Sequence, residues 1–243
     1  MESRHFTQVL PNSHAVAQFE PDWVLHLGAQ VEGLQRMNGS GQLISIANNL
    51  LDKHYNDTVL GVPTKHISSL CAYLPVGAAP VNGPRSFLPW TRYPHKVNLP
   101  LIDSSFSIKK RYNRREISQA SGVVHIPYNL SIMSAFEHYW QGIPMYLPSE
   151  RLQREWWHDD SRSTLQEILF PNSGLTFTPD LISLADWYDQ TNFRGVRLFD
   201  NLEELEAMMV NDDLRAINEE MVSHNLHRRQ EILSQWNSIL AEI

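Results

Sequence analysis

The chain has 243 residues, of which 42% are hydrophobic and 19% are charged, so it can bury a sizeable core and is not too polar to collapse. Its net charge of −7 argues against the broad basic surface of a nucleic-acid-binding protein. Cys71 is the single cysteine, so no internal disulfide can form, and no apolar run reaches the roughly 18 residues of a membrane span. Because the first residues lack the apolar core of a signal peptide, we expect a soluble cytoplasmic protein.

Residues 1–70 are predicted to form a reduced N-terminal α/β segment. The apolar run at residues 23–27 predicts a strand, with His26 near its end. Residues 43–55 carry apolar side chains at helical spacing, which predicts a helix.

Prolines mark the connection that follows. Seven of the 14 prolines lie at residues 63–100, so this stretch is expected to be loop-rich with short extended pieces. Its bulky side chains Phe87, Leu88, Trp90 and Tyr93 need burial, which argues against a disordered linker. A basic helix is predicted next, at residues 105–120.

Residues 71–243 are predicted to form one domain in which strands and helices alternate. Strands are predicted at residues 123–126, 144–147 and 194–199, and helices at residues 131–141 and 202–210, with one or two long amphipathic helices at residues 213–243. This alternation indicates a Rossmann-like parallel sheet with flanking helices. The apolar strand at 123–126 is predicted to be central, and the C-terminal helix is predicted to pack back on the N-terminal part.

The segment at residues 123–149 has the geometry of an anion site. A buried strand leads through a turn into a helix predicted to begin at Ser131, and the free N–H groups of such a helix end attract phosphates. Ser131 and Ser134 add hydroxyl donors, and Glu137 lies one turn further, where its carboxylate can accept from ribose hydroxyls. The same pattern also fits a plain helix start, with Ser131 as N-cap and Glu137 solvated.

This segment resembles the nucleotide-sugar-binding C-terminal domain of GT-B fold glycosyltransferases, especially members from large viruses and marine microbes. The likeness is carried by Glu137 followed by Gly142-Ile143-Pro144, and it extends weakly to residues 185–205 and 228–240. A stretch similar to residues 69–73 leads into the nucleotide domain of those proteins. The resemblance implies transfer of a sugar from a nucleoside-diphosphate sugar to a carbohydrate or glycan acceptor, without cofactor or metal, and it implies that Glu137 holds the ribose.

Other side chains are expected around this ligand. Tyr128 and Asn129 would face the sugar or the phosphates, and Met133 lies on the same helix face. The remaining candidates are cations for the diphosphate and one general base: Lys109, Lys110, Arg114, Arg85 and His26. Retaining members of the family often carry an acidic residue where this chain has Asn129, so retention and inversion both stay open.

Two other functions stay open as well. The chain is long enough for the nucleotide domain and only a reduced acceptor domain, which is compatible with a non-catalytic nucleotide-binding or interaction domain. His158, Asp159 and Asp160 are residue types found in metal-dependent phosphohydrolases. The base, the sugar, the acceptor and the oligomeric state do not follow from the sequence.

Overall fold

The computed structural model describes residues 21–77, 85–92, 96, 97, 99, 117, 120–165 and 178–242, with the backbone alone for residues 21–29. These residues fall into two compact units: the first holds the described residues up to Ile67 together with Thr178, and the second holds those from Ser68 to Leu165 and from Pro179 onward. None of the helices in these ranges is long and apolar enough to cross a membrane.

The first unit is a small α/β arrangement. Its elements are α1 (Pro21–Gly39), β1 (Ser45–Ala47), α2 (Leu50–Thr58) and β2 (Thr64–His66). The two strands pair in parallel, and α2 is the crossover between them.

Both elements predicted for this unit need correction. Residues 23–27 are part of α1 and not a strand, so His26 lies within a helix and not at a strand end. A short apolar run fits either state, and here the helix-forming residues that follow it decide the outcome. The single helix predicted at residues 43–55 is also wrong, because this stretch contains β1 and the first part of α2. The helix starts only after Asn49, which caps it by accepting from Asp52 N at 2.7 Å.

The second unit is built on a four-stranded sheet. Its elements are β3 (Phe87–Trp90), β4 (Gly122–His125), α3 (Met133–Trp140), β5 (Met145–Pro148), α4 (Glu150–Trp157), two 3₁₀ turns (Pro179–Leu184 and Asp186–Tyr188), β6 (Arg197–Phe199), α5 (Leu202–Asn211) and α6 (Leu214–Ala241). The strand order is β3-β4-β5-β6, and every pair is parallel. The predicted Rossmann-like parallel sheet with flanking helices is therefore confirmed at the level of an α/β architecture.

The position of β4 is also as predicted, because it lies between β3 and β5 and all four of its residues are buried. At the edge, β3 contains Pro89, which has no N–H to donate to a neighbouring strand. Phe87 and Leu88 are buried as expected, whereas Tyr93 lies outside the described residues.

The sheet separates two apolar clusters because successive strand residues point to opposite faces. Val124 packs in one cluster with side chains from β5, β6, α4 and α5, among them Tyr146, Phe199 and Trp156. Val123 packs in the other cluster, with Leu88 and Ile143. Both faces of the sheet are thus covered, as a parallel sheet requires.

The apolar stripe of the C-terminal segment predicts one or two long helices, and the structure has one, α6. Asn225 Nδ2 donates to Tyr139 O at 2.7 Å and so ties α6 to α3. Arg228 is buried and donates to Ser69 O at 2.9 Å. The predicted packing of this helix on the N-terminal part concerns both units and stays a prediction.

Candidate functional site

The candidate site lies where β4 leads into α3. In a parallel sheet all carboxyl ends meet at one edge, so the residues that follow Trp90 of β3 and His125 of β4 come close to the start of α3. The turn at Tyr128 and Asn129 also lies at this edge. The predicted site residues on these elements are therefore brought together.

The N-terminus of α3 has no side-chain cap. The helix begins at Met133, and its N-cap is Ile132, which makes no side-chain hydrogen bond. Ser131 therefore stands before the cap, so its predicted position at the helix start is wrong. An extended residue at 132 separates Ser131 from the helix, and the first turn also contains no acidic residue. The helix end keeps its partial positive charge.

Ser134 is partly buried in the first turn of α3, and Met133 beside it is exposed. The Ser134 hydroxyl accepts a hydrogen bond from Trp90 Nε1 at 3.0 Å. A hydroxyl that accepts one bond still has its own proton to donate, so Ser134 can bond to a phosphate oxygen while it is held by Trp90.

Glu137 lies one turn beyond the start of α3 and is half-buried. Its carboxylate accepts a hydrogen bond from the hydroxyl of Tyr73, which comes from the loop before β3. This bond is the largest of the causes that raise the pKa of Tyr73, so the phenol stays protonated and remains the donor. The carboxylate is thus oriented by the protein and is not merely solvated.

Tyr128 and Asn129 form the turn that precedes α3. Asn129 Oδ1 accepts from Leu130 N at 2.7 Å, which fixes the turn locally. The guanidinium carbon of Arg92 lies 4.9 Å from the centre of the Tyr128 ring, a cation–π contact. Arg92 is a cation at this edge that sequence reasoning missed, because the strand before it, β3, was expected only as part of a loop-rich stretch.

Arg85 does not join this site. Its guanidinium donates to Met209 O at 2.6 Å and to Asp212 O at 3.0 Å, both at the C-terminal end of α5. Arg85 precedes β3, so it lies at the amino edge of the sheet, opposite to Asn129. Its expected role as a phosphate ligand is wrong, because the carbonyl groups of α5 already occupy it.

Four further candidates cannot be placed. Lys109, Lys110 and Arg114 lie outside the described residues, as does most of the basic helix predicted around them. For His26 only the helical backbone is described.

Two buried histidines lie beneath the site. His125 ends β4 and His138 is on α3, with ring centres 6.1 Å apart, and Trp187 stacks on His125 at 6.3 Å. Neither ring nitrogen of His125 has a hydrogen-bond partner among the described residues. Burial lowers the pKa of His138 to about 4, and burial together with the charge of His138 lowers the pKa of His125. Both imidazoles are therefore neutral at neutral pH.

The predicted phosphohydrolase residues have structural roles in the turn after α4. His158 is the C-cap of α4, and Asp159 Oδ1 accepts from the backbone N–H of Ser161 at 3.0 Å. Arg162 lies 3.6 Å from the other oxygen of the same carboxylate. In the part of the chain that the structure describes, no group of three or more His, Cys, Asp or Glu side chains is arranged to hold a metal ion.

A separate cleft of about 630 Å³ lies beside β6, between α4 and the start of α5. Leu152 and Trp156 contribute apolar walls, and Arg151 lies on the rim. Arg151 is 3.2 Å from a carboxylate oxygen of Asp200 and also pairs with Glu155. The charge of Arg151 is therefore already balanced.

Cys71 is buried, as expected for a small apolar side chain, and burial raises the pKa of its thiol. A protonated, buried thiol is a poor nucleophile.

Comparisons of the chain with protein-family models, with curated proteins and with solved structures found no match.

Proposed function

We propose that this chain is a glycosyltransferase that binds a nucleoside-diphosphate sugar at the junction of β4 and α3, in a GT-B-like nucleotide domain. The observation that carries the proposal is the position of Glu137. Its oriented carboxylate lies one helical turn from an uncapped helix N-terminus, at the carboxyl edge of the central strand. That spacing suits a ribose whose diphosphate rests on the helix end.

The groups at this edge match the two parts of such a ligand. The diphosphate would accept hydrogen bonds from the first N–H groups of α3 and from the hydroxyl of Ser134, with Arg92 as the neighbouring cation. The ribose hydroxyls would donate to Glu137. Asn129 would face the sugar or the phosphates.

In the reaction, an acceptor hydroxyl oxygen attacks C1 of the sugar. The new C1–O bond forms, the bond from C1 to the diphosphate oxygen breaks, and the nucleoside diphosphate leaves with the electron pair. The acceptor proton passes to a general base. The helix end and Arg92 stabilise the charge that develops on the leaving group.

Calorimetric titration with UDP and GDP tests the proposal. Glu137→Gln keeps the shape of the side chain and removes its charge, so we expect nucleotide affinity to fall about tenfold to a hundredfold, which corresponds to ~1.4–2.8 kcal/mol. Glu219→Gln is the matched control, because Glu219 is an exposed helix glutamate that pairs with Arg215 on α6.

Three outcomes decide between the functions. Equal affinities of the parent and Glu137→Gln would overturn the ribose assignment, and no binding by the parent would overturn the whole proposal. Nucleotide binding by the parent, without release of sugar from UDP- or GDP-sugars in the presence of acceptor glycans, would favour the non-catalytic nucleotide-binding alternative.

A further inference from the structure

Helix α6 carries a second row of apolar side chains, on its exposed surface. The large apolar side chains of α6 that are at least 39% exposed are Leu226, Leu233, Trp236 and Leu240. The same helix buries Met221, Ile232 and Ile239 on another face. At about 3.6 residues per turn, the exposed row lies about 100° around the helix from that buried face. The exposed row is therefore not part of the core of the second unit.

The exposed row follows the spacing of a coiled-coil seam. Positions 222 and 229 extend it to an alternation of four-residue and three-residue steps, and we call residues 222, 226, 229, 233, 236 and 240 the exposed seam. Val222 is half-buried, and Arg229 is the one charged residue among the six. This alternation is the a/d pattern by which one α-helix packs into another, so the group that covers the seam is a helix.

Polar side chains without charge border the exposed seam on one side. Ser223, Gln230 and Asn237 each follow a seam residue by one position, and all three are exposed. In coiled coils, charged residues at bordering positions select a partner with the opposite charge pattern. The uncharged border of this helix neither repels an identical border nor selects a different charged partner, so a second copy of the chain fits the seam.

We propose that the exposed seam binds the same seam of a second copy of this chain, with the two helices antiparallel. In a parallel pair each position faces itself, so the two Arg229 guanidinium groups would repel each other. In an antiparallel pair with its two-fold axis near residue 231, Arg229 faces the partner's Leu233, and its long side chain can extend to solvent. Leu226 then faces the partner's Trp236.

The length of the exposed seam sets the expected strength of the contact. The seam spans residues 222–240, which is about 27 Å of helix. A contact between two helices of this length lies at the small end of protein interfaces, so we expect a dissociation constant on the order of 10 µM. A two-fold contact occupies the seams of both copies, so assembly ends at the dimer.

Sedimentation velocity of the whole chain between about 1 µM and about 200 µM tests the dimer. Leu226→Glu buries a carboxylate against the partner's Trp236, so we expect the dissociation constant to rise at least about tenfold. Arg229→Leu removes the charge from the seam and should lower the dissociation constant about tenfold. Val210→Glu is the control, because Val210 is an exposed apolar side chain of α5 and its replacement should leave the dimer unchanged.

Disulfide cross-linking tests the orientation of the two helices. Leu226→Cys and Trp236→Cys are oxidised with copper phenanthroline, first separately and then as an equimolar mixture, and Cys71 is buried and stays out of the reaction. In the antiparallel pair these two positions face each other, whereas the two copies of either one lie about 15 Å apart along the helix axis. We expect a linked dimer from the mixture and none from either variant alone.

Thermal unfolding of each variant verifies that it is folded. A parent that stays monomeric at about 200 µM overturns the proposal, including a monomer that binds lipid vesicles or another protein through the seam. A dimer that persists unchanged in Leu226→Glu places the contact elsewhere and also overturns it. Cross-linking of each cysteine variant with itself would show a parallel pair and overturn the antiparallel arrangement.

Discussion

The helices that follow β4 and β5 begin at the same edge of the sheet but complete their N-termini in different ways. In α4, Ser149 Oγ accepts from Leu152 N at 3.2 Å, and Glu150 places a carboxylate in the first turn. In α3, Ile132 makes no side-chain cap, and the first turn has no acidic residue. The N-cap and first turn therefore supply a side-chain acceptor and a negative charge to α4, and those of α3 supply neither.

This difference shows how one sheet edge can hold both a structural and a ligand-binding junction. An anion gains little at α4, because a carboxylate already offsets the positive end of that helix. At α3 the same anion would accept hydrogen bonds from the first N–H groups of the helix, for which the N-cap residue provides no side-chain acceptor. The nearby Ser149 also donates to Asp200, so the edge beside α4 is satisfied by the protein alone.

The largest expected effect concerns the two buried histidines beneath α3. Among the described residues, no histidine with a lowered pKa lies beneath α4. The folded-state pKa values of His125 and His138 lie below the ordinary 6.5, so their contribution to stability is complete above that pH and is lost as the pH falls. Because the unfolded chain binds more protons than the folded chain in this range, we expect the free energy of unfolding to drop by about 2 kcal/mol between pH 7 and pH 5 through His138, and His125 adds to the loss. Urea unfolding at both pH values measures the drop.

His138→Gln should reduce this loss, whatever the stability of the variant at pH 7, because one titrating group is removed. His227→Gln is the control, since His227 is exposed on α6 and should leave the loss unchanged. An unaltered pH dependence in His138→Gln would show that the buried pair is not its cause.

A smaller effect is expected at the C-terminal ends of the same two helices. α3 is terminated by Gly142, which follows its C-cap with φ of 73°, and Ile143 N bonds there to His138 O at 3.1 Å. The C-cap of α4, His158, has right-handed backbone. A Cβ on Gly142 would lie 2.7 Å from Val222 Cγ2. We expect Gly142→Ala to lower the free energy of unfolding by about 2 kcal/mol, measured by urea unfolding.

Gly39→Ala tests whether the loss of stability comes from the backbone conformation and packing at Gly142 and not from replacing any glycine by alanine. Gly39 has no atom within 4 Å of an added Cβ, so its replacement should be neutral or slightly stabilising. Equal effects of the two substitutions would contradict the explanation from backbone conformation and close packing.

The smallest effect compares the two serines near the helix starts. Ser149→Ala removes the cap of α4 and should cost about 1 kcal/mol of stability. Ser131→Ala removes a hydroxyl that caps nothing in α3 and should stay within about 0.5 kcal/mol of the parent. Thermal unfolding of both variants without ligand checks the comparison, and a larger loss in Ser131→Ala would reverse it.

Most elements of the second unit could be predicted because their signals are local. The apolar run of β4, the glycine that ends α3 and the apolar stripe of α6 each lie within one segment. In the first unit the signals conflict. Apolar residues at 23–27 and at 43–47 fit both a strand and a helix, and pairing and capping, which involve other segments, decide between them.

Within the candidate site, the sequence by itself determined that Ser134 and Glu137 share one helix that follows a buried strand, because helix spacing and strand burial are local properties. The tertiary structure alone decided that Trp90 bonds to Ser134, that Tyr73 bonds to Glu137 and that Arg92 lies over Tyr128. These contacts join residues that are 36 to 64 positions apart. The pairing of β3 with β4 and the docking of the 71–77 loop on α3 bring them together, and no spacing within a segment encodes either event.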